Sequence, residues 1–231
     1  MEKMKIELQQ KAYKELKRFF ESKYPKETVL DLHCWLTRYT YDCTFLYQAL
    51  AFYDALENDR LTDCKQRIEY EQYNDKAYIT VGNVRLDFPL NDIIKIIGRA
   101  INVLEPLLPL GSVIKLREEI FPNTEEIREA EFIVLQRYIQ VDNLQTYLPY
   151  GLGINPFGIT DEGKILYAAP SLIKEVIHYG YQDEKELRYE HAMRIECNIK
   201  KEYQSVAFAS LEVKQGVSEL IRREGNDGKR N

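Results

Sequence analysis

Between residues 108 and 186, short apolar runs are cut at close intervals by glycine and proline. The stretch opens with Leu-Pro-Leu-Gly-Ser-Val-Ile at 108–114 and passes through Tyr-Leu-Pro-Tyr-Gly-Leu-Gly at 147–153. It closes with Gly-Tyr-Gln-Asp-Glu at 180–184. Such punctuation leaves no room for long helices and predicts a compact β-rich unit with fixed turns. Strands are expected at 112–116 and 132–138, paired with each other, and at 165–169 and 175–179. One helical turn is expected at 170–174, because proline suits a first helical position.

The flanks read differently. Met4, Leu8, Ala12, Leu16 and Phe20 recur every four residues and predict an amphipathic helix over 3–22, ended by Pro25. Thr28 and Asp31 have the spacing of a capping box for a second helical region, broken within, reaching about residue 57. Its apolar face is wide enough to place it at the centre of the N-terminal half. The period changes to two after Asp63. Ile68 and Tyr70 alternate with glutamates, and two β-branched runs flank Gly82-Asn83, which together predict a three-stranded meander. A helix follows Pro89, with Ile93, Ile97, Ile101 and Leu104 on one face. From Asp183 the pattern is helical again, with Ala192, Ile195 and Ile199 on one face. A later segment carries Leu211, Val217, Leu220 and Ile221.

The chain is therefore expected to be α+β: N-terminal helices with a small antiparallel meander, then a small antiparallel sheet flanked by helices. Pro106 and Pro109 bracket the expected boundary, which gives a helical α+β region over 1–105 and a β-rich domain with C-terminal helices over 106–224. A polar, glycine-containing tail over 225–231 is expected to be disordered.

Apolar residues make up 45% of the 231 residues and charged residues 30%, which excludes a largely disordered chain. The net charge of −5 argues against a nucleic-acid partner, which would call for clustered Lys and Arg. No apolar run approaches the roughly 20 residues that cross a bilayer. The N-terminus is charged and without a signal-peptide core. With four cysteines in no metal or disulfide spacing, a cytoplasmic location is expected.

Chemistry is sparse. Gly151-Leu152-Gly153 is too short for a dinucleotide fingerprint and reads as a turn with left-handed residues. His33, His178 and His191 have no metal-ligand spacing, and no cofactor is expected. His33 reads as a structural residue of an apolar helix, and His178 as a sheet-face residue. Cys34 or Cys43 with His178 is the one conceivable nucleophilic pair. Asp183, Glu184 and Glu186 suit the start of a helix through its dipole, without acid–base work. The connector 117–131, with six acidic and two basic residues, is the most charged surface feature.

The punctuated stretch resembles a bacterial family with no assigned reaction, domain of unknown function 4176. Its members share a Leu-Pro-Leu-Gly-Ser-Val-Val start, a strand ending in an Arg-containing turn, a Tyr-Pro-x-Gly segment, a short helix and strand, and a Gly-Tyr-x-Asp-Glu close. Here these correspond to 108–114, 132–138, 148–151, 170–174 and 175–184, about a third of the chain. Two departures stand out: a long acidic connector, and Leu135-Gln136-Arg137 where Ile-Gly-Arg is usual.

The family's genes lie in Gram-positive loci for LXG-type toxins and type VII secretion. The resemblance therefore implies a non-enzymatic accessory protein that binds a toxin from the same locus, as a chaperone or targeting factor for export. The alternative implied is an immunity protein. A Cys/His-dependent enzyme is the third reading. Expected partner-binding residues are the aromatics beside glycine turns, Tyr150, Phe157, Tyr167 and Tyr181. For an immunity role, the acidic residues Glu118, Glu119, Glu125 and Glu126 are added. Oligomeric state is not specified by the sequence.

Overall fold

The computed structural model describes residues 1–54, 60–63, 67–118, 130–159 and 165–227. The chain divides into two compact units, Met1–Pro106 and Leu107–Asn231. The architecture is α+β: N-terminal helices and an antiparallel sheet, then a second sheet with helices.

In the first unit, helix α1 (Glu2–Lys23) buries Ala12, Leu16 and Phe20 of its apolar stripe. Tyr24 turns extended, and Pro25 stands at the N-cap of α2 (Lys26–Leu36). Thr28 lies inside that helix, so the expected capping box is not formed. Pro25 already fixes the entry, and the N-cap makes no side-chain bond. A 3₁₀ turn (Thr37–Tyr39) supplies the expected break. Asp42 Oδ1 then accepts from Thr44 N at 2.9 Å to open α3 (Thr44–Asp54). These bonds hold the Asp42 carboxyl below its usual pKa. The rings of Trp35, Tyr39 and Phe45 pack in series, with Tyr39 and Phe45 stacked at 5.3 Å.

The meander has four strands rather than three: β1 (Arg60–Asp63), β2 (Ile68–Tyr73), β3 (Lys76–Val81) and β4 (Val84–Pro89), in that order and antiparallel throughout. The sequence of β1 has no apolar alternation to betray it. It is held by backbone pairing and by ion pairs from Arg60 to Glu69 and Glu71. Ile68, Tyr70, Ala77, Ile79, Leu86 and Phe88 form the buried face. Gly82, at φ +61°, turns β3 into β4, a region where glycine meets no Cβ penalty.

The central helix is α4 (Leu90–Leu104), not the second helical region. It is buried on nearly every side, including Arg99 and Asn102. Gln9 Nε2 donates to the carbonyls of Leu104 and Thr40, satisfying backbone groups that a buried helix end would otherwise strand. Just beyond α4, burial raises the Glu105 carboxyl above its ordinary pKa, although the Tyr47 hydroxyl donates to it. A carboxyl raised in the folded state stabilises fully below its unfolded pKa, and that contribution is lost as pH rises through the folded value. Glu105→Gln is therefore expected to raise the thermal midpoint at pH 7. The gain should vanish in acid, as read by melting curves at both pH values.

In the second unit, the strands are β5 (Val113–Leu116), β6 (Glu131–Val141), β7 (Thr146–Ile154), β8 (Leu166–Ala168), β9 (Ile173–His178) and β10 (Gln204–Ser205). The sheet order is β10-β7-β6-β5-β9. All pairings are antiparallel except β10 with β7. The far edge of β7 is shared: β10 takes Thr146 and Tyr147, and β8 takes Tyr150 to Leu152. Pro149, which has no N–H to give, falls between them.

Residues 146–153 of β7 are wholly buried, so the expected turn at Gly151 and Gly153 is instead the middle of the sheet. These glycines answer to space, not to a left-handed backbone. A Cβ on Gly151 would lie 2.8 Å from Gln136 Oε1, and one on Gly153 would lie 2.5 Å from the Gly158 carbonyl oxygen.

At the opposite side of the sheet, β9 is irregular. Val113 pairs with His178 and Ile114 with Val176; Lys115 pairs with Glu175 and Leu116 with Ile173. The register of β9 thus skips Ile177 and Lys174. Asp183 caps α5 (Glu184–Ile195), its Oδ1 accepting from Glu186 N at 2.8 Å. The helix relaxes into a π turn at Glu196–Lys200. Helix α6 (Leu211–Asp227) buries Val217. It takes in Gly225, Asn226 and Asp227, which were expected in the tail, and 228–231 lie outside the described residues.

Candidate partner-binding surface

Four separated motifs of the punctuated stretch meet in the second unit. The turn at 108–112 is the hub. Leu108 N donates to the Tyr150 hydroxyl at 2.8 Å, and the Leu108 carbonyl accepts from Arg137 at 3.3 Å. Ser112 Oγ accepts from Gly180 N at 3.0 Å. A Cβ on Gly180 would fall 2.0 Å from the Leu110 carbonyl oxygen, so the closing Gly-Tyr motif crosses directly over the opening one.

Arg137 joins this hub to α5. Its guanidinium pairs with Glu186 at 2.7 Å, is almost wholly buried, and lies 5.9 Å from the Tyr189 ring centroid. Glu186 is thus held in an ion pair at the start of α5. Deeper in, the Tyr138 hydroxyl donates to Glu190 Oε1 at 2.7 Å, and Leu107 N donates to the same oxygen at 3.2 Å. Glu190 Oε2 faces buried Arg194 at 3.4 Å. Burial, then the Glu190 charge, raise the Tyr138 hydroxyl well above its usual pKa. Tyr147 donates to Asn198 at 3.2 Å. This polar core fixes α5 against the sheet.

Above it lies a shallow depression of about 310 Å³ lined by Leu110, Leu135, Gln136, Arg137, Ile139 and Tyr189. Leu110 is 49% exposed and Tyr189 55% exposed. The residues flanking Gly180 add Tyr179 and Tyr181, the latter 80% exposed.

Of the aromatics singled out in the sequence, Tyr181 and Phe157 (77% exposed) are on the surface, and Tyr167 is half-buried. Tyr150 is corrected: at 1% exposure its ring belongs to the core, and its hydroxyl serves Leu108. A large ring followed by glycine marks close packing as readily as an exposed turn. Glu118 is exposed and ion-paired with Lys174. Glu119, Glu125 and Glu126 lie outside the described residues. Sequence reasoning passed over Leu110, Arg137 and Tyr189, although Arg137 sat within a recognised motif.

The nucleophile candidates are dispersed in chemistry as well as sequence. Cys43 is buried and Cys34 exposed, while Cys64 lies outside the described residues. Burial pushes the Cys197 thiol up to about 11, away from the thiolate that reacts. His33 is half-buried and bonded to the Tyr13 hydroxyl, and burial holds its imidazole below the usual pKa. His178 is exposed on β9. Among the described residues, no three His, Cys, Asp or Glu side chains are grouped to hold a metal ion. Among them, too, no helix is long and apolar enough to cross a membrane.

Residues 107–189, within the second unit, match the family model of a domain of unknown function, DUF4176. No curated protein and no solved structure matches the chain.

Proposed function

We propose that this protein works by binding another polypeptide, as a non-enzymatic accessory factor inside the producing cell. The observation that carries this reading is the group of exposed apolar side chains around the motif hub: Leu110, Tyr179, Tyr181 and Tyr189. Exposed apolar groupings of this kind mark interaction sites, and tyrosine is a favoured interface anchor. The finer reading is a chaperone or targeting factor for an LXG-type toxin exported by a type VII system. It draws on the family resemblance of the motifs that build the hub.

Co-expression with the toxin encoded beside it is expected to give one co-eluting complex on size exclusion. Independent elution of the two sinks the toxin reading. Tyr181→Ala is expected to weaken the complex about tenfold, with an unchanged melting curve because the ring is solvent-exposed. An immunity protein differs in a direct way. It rescues cells that make the isolated toxic domain, whereas an export factor governs whether full-length toxin leaves the cell.

A further inference from the structure

We infer that helix α6 is a detachable arm: it leaves the body of the second unit in one piece while the sheet stays folded. Three observations carry this.

The first is how little holds the helix. Among its described side chains, Leu211 to Arg223, Val217 alone is buried. Val213, Leu220 and Ile221 are half-buried, and Leu211 is 68% exposed. The slightly shorter α4 buries ten residues. Burial of apolar surface is the main term that docks a helix, so α6 is docked weakly.

The second is where it is held. Among the described residues its main neighbours are two 3₁₀ turns, Val206–Phe208 and Asp142–Leu144. The former leads into the helix through Ala209 and Ser210 and acts as its tether. The latter is the distant seat, and it comes down to the tip of Leu144 resting on Gly216. A Cβ on Gly216 would lie 3.1 Å from Leu144 Cδ1 and 3.4 Å from Cδ2.

The third is the helix itself. Gly216 permits that close approach, yet a glycine in mid-helix weakens the helix once it is off its seat. Val213, Val217 and Ile221 are β-branched, which lowers helix propensity further. A free helix of this length is marginal in water, so the released arm frays and its amides meet solvent. The tether stays fixed upstream, where Thr146 Oγ1 donates to the Gln204 carbonyl at 2.6 Å. Release therefore exposes Val213, Val217, Leu220 and Ile221 together, the apolar stripe of an amphipathic helix.

The test is native-state hydrogen exchange of the full chain, read amide by amide by nuclear magnetic resonance, in the parent and in Leu144→Ala. Relative to unstructured-chain rates, the amides of 215–221 are expected to exchange at least about a hundredfold faster than those of β6 and β7. Leu144→Ala, at a half-buried turn position, is expected to speed α6 about a further tenfold and leave both strands unchanged. Equal protection of α6 and the strands overturns the proposal. So does an effect of Leu144→Ala that falls on both alike or on neither. Exchange of α6 in the parent at the rate of an unstructured chain overturns the docked state.

Discussion

Replacing Glu190 with alanine is expected to lower the thermal midpoint of the second unit by roughly 10–20 °C. One carboxylate there serves three groups. It accepts from the Tyr138 hydroxyl and from Leu107 N, and it faces the guanidinium of Arg194, only 2% of whose side chain is exposed. Its removal strands two donors and leaves a buried cation uncompensated. Breaking a buried pair from one side destabilises by about 3–5 kcal/mol, well beyond the net gain from a single neutral hydrogen bond. Glu190→Gln keeps an acceptor for Tyr138 while losing the charge, so its midpoint should fall between the two. The measurement is a circular-dichroism melt of the full chain. A Glu190→Ala midpoint within about two degrees of the parent, less than 1 kcal/mol would produce, would show that the network contributes little.

Gly180→Ala is the second large effect. The added methyl would lie 2.0 Å from the Leu110 carbonyl oxygen and 2.9 Å from Ser112 N. Both are backbone atoms of a turn held in turn by Tyr150, Arg137 and Gly180 itself. No side chain can rotate away to make room, so the turn must shift. Overpacking of this kind costs about 1–3 kcal/mol. The displaced residue is Leu110, one of the exposed apolar side chains of the proposed partner surface, so co-elution with the toxin should weaken along with stability. Gly82→Ala is the matched contrast. Nothing lies within 4 Å of its Cβ, and only the left-handed backbone resists. That variant should lose some stability in the first unit and leave the co-elution unchanged. If Gly180→Ala melts and binds like the parent, the hub is looser than the contacts imply.

What was legible in the sequence is the part set by local rules. The stripe of α1, the Gly82-Asn83 hairpin and the Asp183 helix start all follow from spacing or capping within a few residues. What escaped depends on distant partners. Strand β1 has no pattern of its own and exists because β2 pairs with it. Gly151 and Gly153 look like turn residues until β6 and the Gly158 loop are laid against them. Tyr150 looks like a surface aromatic until the turn at Leu108 closes on its hydroxyl. Arg137 and Tyr189, 52 positions apart in the chain, line one wall only because the polar core seats α5 on the sheet. The composition of α4 announced its apolar face, yet not that Arg99 and Asn102 would be buried on the other side.

The irregular outer strand also bears on how this molecule survives at high concentration. A smooth terminal strand invites copies to stack side by side into fibres. Here the kinks at Ile177 and Lys174 spoil that template, and a lysine sits at one of them. The protein is therefore expected to display greasy side chains next to an open sheet without nucleating its own polymerisation. Straightening the strand by deleting Ile177 should turn a clear solution turbid.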